Sequence, residues 1–279
     1  LHYPLRRQRQ MCIRDSYRRA PQKYLVVVNA ANDDKDWAWL NAVRKGEVLV
    51  DKDSPWAVAF GSNVTLKNLR LPESGQEQRV DIALQGPKSR EILLKLDVSL
   101  TDRQAIESLN WANLCEATLD GIDLVVSRTG YTGERMGFEL FVHPENAVKL
   151  WSALMEAGKD LGLKPCGLGA RDSLRTEAGL PLYGHEMGGM LNLGVGQAGF
   201  GNFVKTHKPW FIGRKAYLQQ EEQRDSIVVR FAFDEQRTKM AHLGDPVLDE
   251  RGKVIGTVTS CAINTEGSLC LLYTSPSPR

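Results

Sequence analysis

The sequence predicts an α+β protein with a separate, small all-β unit near its C-terminal end. Two patterns and one total point there. Apolar runs of strand length alternate with amphipathic helical runs through most of the chain. From about Asp225 the helical period disappears and strand-type alternation takes over. The 279 residues, 42% hydrophobic and 25% charged, are ordinary for a globular protein and long enough for one large domain or two to three small ones.

The elements follow in order. "KYLVVVNAAN" (23–32) is a valine-rich continuous run and reads as a buried strand ending at Asn29. "DDKDWAWLNAVRKG" reads as a helix. Asn32 or Asp33 can cap it, Trp37, Leu40 and Val43 recur at helical spacing, and Gly46 can end it. "RVDIALQGPKSREILLKL" (79–96) gives a strand, then Gly86-Pro87, then a helix with Ile92, Leu93 and Leu96 inward. "GIDLVVSRTGYTGERMGFELFVH" (121–143) is two strands around a glycine-rich loop. "PENAVKLWSALMEAGKDLG" (144–162) is an amphipathic helix with Val148, Trp151, Leu154 and Met155 on one face. "CGLGARDSLRTEAGLPLYGHEM" (166–187) begins as a further helix and ends in a glycine- and proline-rich loop. Residues 200–220 read as a connector. "SIVVRFAF" and "DPVLDERGKVIGTVTSCAI" then supply the strands of the all-β unit.

The two ends differ from the body. "MCIRDS" near the start and "CLLYTSPSPR" at the finish resemble translated sequencing-adapter sequence, so residues 1–16 and 270–279 are expected to be foreign. These ends carry net charges of +3 and +1, against +2 for the whole chain, which leaves the body at −2. A mildly acidic body gives no electrostatic footprint for nucleic acid. No apolar run approaches a membrane span, and the start has no apolar core of a secretory signal. Cys12, Cys115, Cys166, Cys261 and Cys270 form no CxxC pair and read as small buried hydrophobes. The five histidines are dispersed, so no metal site is expected. "GVGQAG" (194–199) fits the dinucleotide glycine pattern only in part and lacks its strand-turn-helix setting.

Four positions stand out as binding candidates. Glu139 lies in a strand between Phe138 and Leu140, so its side chain faces away from both. A buried carboxylate there needs donors. A heterocycle with a ring N–H beside an exocyclic amine, as in pterins and guanines, supplies two in parallel. Asn29 ends a strand and needs partners for its amide, with local capping the plain alternative. Tyr131 shares the loop "RTGYTGERMGFEL" with Glu134, a turn acid. Arg171 and Arg175 stand four residues apart, a repulsive spacing that calls for carboxylates or an anionic ligand. Asp172 and Glu177 can neutralise them, and Ala170, Leu174 and Ala178 form the neighbouring apolar stripe.

Taken together, "VVVNAANDDKDW", "ALQGPKS", "RTGYTGERMGFEL", "GLGARDSLRTEAGLPLYGHEM", "FIGRKAYL" and "GDPVLDERGKVIGTVTS" resemble, in this order, the aminomethyltransferase family, the T-protein of the glycine cleavage system. The resemblance implies a ferredoxin-like α+β folate-binding region over 17–219 and a C-terminal antiparallel β-barrel domain over 220–269. It implies tetrahydrofolate as cofactor, with Glu139 holding the pterin edge, Arg171 binding folate or substrate as a cation, and Asn29 and Tyr131 lining the pocket. The implied reaction passes an aminomethyl group from the lipoylated carrier, the H-protein, to tetrahydrofolate, forming methylenetetrahydrofolate and ammonia. It also implies a monomer, cytoplasmic in bacteria and mitochondrial in eukaryotes.

Three departures qualify the resemblance. The family's catalytic aspartate precedes the strand near Tyr17, where this chain reads "MCIRDS", so the catalytic residue is unknown, Asp15 is not its equivalent and the chain is expected to be inactive. The segment from Glu134 to Glu139 is one residue longer than usual. Lys239 or Met240 stands where the barrel often has arginine. Folate-dependent demethylases and the folate domains of dimethylglycine and sarcosine dehydrogenases share most of these motifs. A non-catalytic folate-binding module is the remaining alternative, although the K-G-C-Y-x-G-Q-E motif of the iron–sulfur maintenance relative is absent.

Overall fold

A computed structural model describes residues 14–53, 55, 63–189, 191–236, 238–264 and 266–276. Most of the N-terminal segment expected to be foreign, residues 1–13, lies outside them, as does the side chain of Asp15. In chain order the elements are β1 (Arg14–Ala20), β2 (Lys23–Val28), α1 (Asp33–Lys45), β3 (Val80–Gln85), α2 (Ser89–Leu93), α3 (Leu100–Ser108), β4 (Leu114–Leu119), β5 (Ile122–Ser127), β6 (Gly137–Val142), α4 (Pro144–Gly158), α5 (Leu168–Glu177), α6 (Arg214–Glu222), β7 (Ser226–Gln236), β8 (Pro246–Leu248), β9 (Val254–Ile263) and β10 (Ser268–Pro276). The described residues form two compact units. One comprises the described residues within 15–26 and 67–171, the other Arg14 and the described residues within 27–66 and 172–276. No described helix is long and apolar enough to cross a membrane.

The first unit is a four-stranded antiparallel sheet in the order β3-β6-β5-β4. Asp120 and Gly121 join β4 to β5 with both φ positive, the two-residue turn whose twist suits a hairpin. Ser99 caps α3 by accepting from the Asp102 N–H at 3.1 Å. Leu84, Phe138, Leu140 and Val126 face one side of the sheet, where Ile92, Leu93, Ile106 and Leu154 of the helices complete the core. Residues at i and i+2 share a face, so Ala83, Glu139, Phe141, Val125 and Ser127 point the other way. Tyr17 of β1 packs on that second face, its ring 6.1 Å from Phe141.

The sheet corrects the ferredoxin-like expectation. In that arrangement the strands interleave through two helical crossovers. Here β4, β5 and β6 are a plain meander and β3 adds to the free side of β6. Two helices, not one, separate β3 from β4, and the chain returns antiparallel. The strand-helix-strand pattern read from the sequence fits both topologies.

Two further expectations need correcting. β2 is not a buried strand. Among the described residues it pairs only with β1, and Tyr24 and Val26 are exposed while Leu25 is buried. On α4 the buried positions are Leu150, Leu154 and Gly158, with Ala147, Ala153 and Ala157 packed beside them. Val148 and Trp151 face outward. Small alanines let the helix approach the sheet closely, and that stripe won over the bulkier one.

The cysteines divide as well. Cys270 is buried, Cys115 and Cys261 are half-buried, and Cys166 is exposed against expectation. Burial, with Asp102 nearby, pushes the Cys115 thiol up to about 11. Fewer thiolates form as a thiol's pKa rises, so alkylation of the native protein at about pH 8 should modify Cys166 first and leave Cys115 largely unreacted. Peptide mapping after a timed iodoacetamide pulse reads this directly. Comparable labelling of Cys115 and Cys166 would contradict the packing of β4.

In the second unit α1 begins after Asn32 and ends at Gly46, whose φ of 73° lets its N–H turn back to the last carbonyls, as the sequence implied. Among the described residues Asn32 makes no side-chain cap. Asn29 instead caps the short turn ahead of the helix. β7, β10, β9 and β8 form an antiparallel sheet in that order. The sheet is open, with β7 and β8 at its edges, and among the described residues it does not close into the expected barrel. Closure needs β7 and β8 to pair with each other or with added strands. Residues 270–276, read as foreign, lie in the central strand β10. The first two glycines of "GVGQAG" lie against side chains: Cβ atoms at Gly194 and Gly196 would overlap Gln220 and Glu221 of α6 as they stand.

Candidate functional site

The non-core face of the first sheet brings one carboxylate and three hydroxyls together. Glu139 stands in mid-β6, opposite Ala83 on β3 and Ser127 on β5. Its alternation is as the sequence implied, because Phe138 and Leu140 on either side are fully buried in the core. The Tyr17 O–H donates to Glu139 Oε2 at 3.2 Å, and the Thr129 hydroxyl donates to the same oxygen. Thr129 Oγ1 also lies 3.0 Å from Ser127 Oγ and 3.2 Å from Tyr17 Oη. Ser127, Thr129 and Tyr17 are all buried, while Glu139 is half-buried and Ala83 beside it is exposed. Among the described residues Glu139 Oε1 makes no hydrogen bond. The carboxylate is thus fixed by one oxygen and offers the other.

The loop between β5 and β6 is pinned at its base. The Gln85 amide donates to the carbonyls of Thr129 and Phe138, both at 3.1 Å. Glycines at 130 and 137 make room for it, since a Cβ at either would overlap Gln85 Oε1. Within the loop Glu134 is not simply solvated. Its Oε1 accepts from the N–H groups of Arg135 and Met136 at 2.7 and 3.2 Å. Tyr131 is half-buried on the same loop, two residues beyond Thr129.

The second unit holds a buried charged cluster around Arg175. Its Nε donates to Asp172 Oδ1, its Nη1 to Glu186 Oε2 and its Nη2 to Ser260 Oγ, each at 2.7 Å. His185 Nδ1 is 3.2 Å from Nη2. Both Arg175 and Glu186 are wholly buried. The buried positions of α5 are therefore Arg175 and Thr176, whereas Ala170 and Ala178 of the expected apolar stripe are exposed.

The candidates from sequence distribute as follows. Glu139 and Tyr131 lie in the first unit with Arg171, which is exposed and whose side chain makes no hydrogen bond among the described residues. Asn29 lies in the second unit and caps locally, its Oδ1 accepting from the Ala31 N–H at 3.0 Å. Sequence reasoning missed Tyr17, Ser127, Thr129 and Gln85. A signal existed for two of them, because Ser127 and Thr129 continue the period-two row of Val125 on β5. Tyr17 was hidden by its nearness to an end read as foreign.

A family model described as the GCVT N-terminal domain matches residues 15–208. The chain is 42% identical over 207 residues to an aminomethyltransferase of Caldanaerobacter subterraneus subsp. tengcongensis, covering 74% of this chain and 48% of that one. It is 40% identical over 240 residues to an aminomethyltransferase of Halothermothrix orenii, covering 85% and 58%. The chain thus spans about half the length of these relatives. The crystal structure of glycine cleavage system aminomethyltransferase T from Bartonella henselae matches with a TM-score of 0.70 at 26% identity, covering 95% of this chain and 64% of that one.

Proposed function

The chain belongs to the aminomethyltransferase family that carries the GCVT N-terminal domain, and from that premise we propose that it binds tetrahydrofolate through Glu139 and orients it for aminomethyl transfer. The observation that supports this is the half-satisfied carboxylate on the non-core face. A pterin presents a ring N–H beside an exocyclic amine, two parallel donors that a carboxylate accepts in bidentate fashion. Oε1 is available to one of them. Oε2 has both lone-pair positions taken, but the Tyr17 O–H can turn to Thr129 Oγ1, also 3.2 Å away, and release one. The three hydroxyls then stay hydrogen-bonded to one another. Exposed Ala83, too small to cover Glu139, leaves an approach for a flat ring.

Within this reading residues 17–219 form the folate-binding region and 220–269 part of a C-terminal barrel completed by further strands. Tyr131 and Arg171, in the same unit as Glu139, are further folate contacts. Bound tetrahydrofolate would supply N5 as the acceptor of the one-carbon unit, delivered as an aminomethyl group by lipoylated H-protein with release of ammonia. The chain's own contribution is orientation: Glu139 fixes the pterin and so sets where N5 lies relative to the donor. The relatives' names favour aminomethyl transfer over demethylation of a small methylated compound.

Calorimetric titration of the 279-residue chain with tetrahydrofolate tests the central claim. Glu139→Ala is expected to weaken binding by about a hundredfold or more, the lower end of the value of two hydrogen bonds to a charged group. Unchanged affinity would refute the assignment. Assays of the full-length protein for methylenetetrahydrofolate formation, with lipoylated H-protein against demethylation substrates, separate the two reactions.

A further inference from the structure

The hydrogen bonds at the base of the β5–β6 loop assign Gln85 a role: we propose that it is a positioning residue, holding the Glu139 carboxylate in register for the pterin edge. The inference rests on the reading of Glu139 given above.

Gln85 closes the β3–β6 ladder opposite Gly137, one row along from the Ala83–Glu139–Ser127 row and on the same face. Gly137 has no side chain, so the Gln85 amide can cross β6 and reach the backbone beyond β5. There it donates one N–H to the Thr129 carbonyl and the other to the Phe138 carbonyl. Both acceptors bear on the carboxylate. Thr129 is the residue whose hydroxyl holds Glu139 Oε2, and Phe138 directly precedes Glu139. One amide therefore ties the donor of the carboxylate's hydrogen bond to the strand that carries the carboxylate.

The amide orientation is chemically defined. Turning it over would set its oxygen against two carbonyl oxygens. As placed, Oε1 is buried without a hydrogen-bond partner among the described residues and lies against Gly130 and Gly137. Leaving a buried acceptor unpaired costs stability. A geometric requirement on the two carbonyls is a reason to bear that cost. Glycine at 130 and 137 follows from the same requirement, since alanine at either would displace the amide.

Three variants of the 279-residue chain test the role. Gln85→Met keeps the length and loses both donors. Gly137→Ala keeps the glutamine but expels its amide. Gln85→Glu replaces the amide with a carboxyl that can donate only when protonated. Titration with tetrahydrofolate should show Gln85→Met and Gly137→Ala binding roughly tenfold more weakly. Hydrogen exchange should rise in residues 129–138 and not in α4. Gln85→Glu should bind poorly at about pH 8 and recover relative to the unsubstituted chain towards about pH 5, where the carboxyl facing two carbonyls becomes protonated. A merely structural glutamine would give no such recovery. Full affinity in Gln85→Met and Gly137→Ala, with affinity lost in Glu139→Ala, would overturn the role of Gln85 and leave that of Glu139 standing. No tetrahydrofolate binding by the unsubstituted chain would overturn both.

Discussion

Replacing Arg175 with leucine should lower the unfolding free energy by about 3–5 kcal/mol, the usual loss when one partner of a buried ion pair is removed. The guanidinium satisfies Asp172, Glu186, Ser260 and the Leu180 carbonyl at once. Glu186 is wholly buried, and without Arg175 its remaining donors are the Leu182 N–H and the Ser260 hydroxyl. Neither offsets its charge. The double variant Arg175→Leu with Glu186→Leu should recover a substantial part of the loss, because apolar pairs often replace buried ion pairs at little net cost. Recovery will be incomplete, since Asp172, Ser260 and the Leu180 carbonyl also lose their donor. Urea unfolding of the single and double variants gives the coupling energy directly. A loss below about 1 kcal/mol in Arg175→Leu would mean the cluster is solvated and the burial wrong.

Arg175 also shows what the sequence could and could not disclose. Arg171 and Arg175 look alike in the chain, and the ligand role implied by family resemblance fell to Arg171. What buries Arg175 comes from elsewhere: Glu186 is 11 residues away and Ser260 is 85. Asp172, three residues earlier, was legible as a partner because helical spacing makes it so. Glu139 was legible for the same kind of reason. Its orientation follows from strand alternation and two large apolar neighbours. The end of α1 was legible because Gly46 is a local stop signal. The neighbours of each strand were not, since apolar patterns mark strands without saying which strands pair. The hydroxyls on Glu139 escaped for that reason too: Tyr17 is 122 residues from the carboxylate it holds. On α4 both candidate stripes obey the helical period, and size alone favoured the outward one.

Alanine at Gly256 should destabilise the second unit by about 3 kcal/mol, at the upper end of overpacking costs, while alanine at Gly196 should stay within about 1 kcal/mol of the unsubstituted chain. Both glycines leave too little room for a Cβ, yet the obstacles differ in kind. At Gly196 the obstacle is the end of the Glu221 side chain, which a rotamer change removes. At Gly256 it is the main-chain carbonyl of Thr274. Thr274 belongs to β10, which is central in the sheet and pairs with Val228 of β7 on its far side. Its hydroxyl also accepts from the Thr257 N–H at 2.9 Å. The carbonyl cannot retreat from β9 without disturbing the pairing with β7, so the strain spreads through three strands. The comparison therefore tests whether residues 270–276, part of an end that reads as foreign, hold the centre of this sheet. Melting curves for the two alanine variants decide it. If Gly256→Ala melts with the unsubstituted chain, β10 is not packed against β9 in this register. A large loss confined to Gly256→Ala means that those residues are structural whatever their origin.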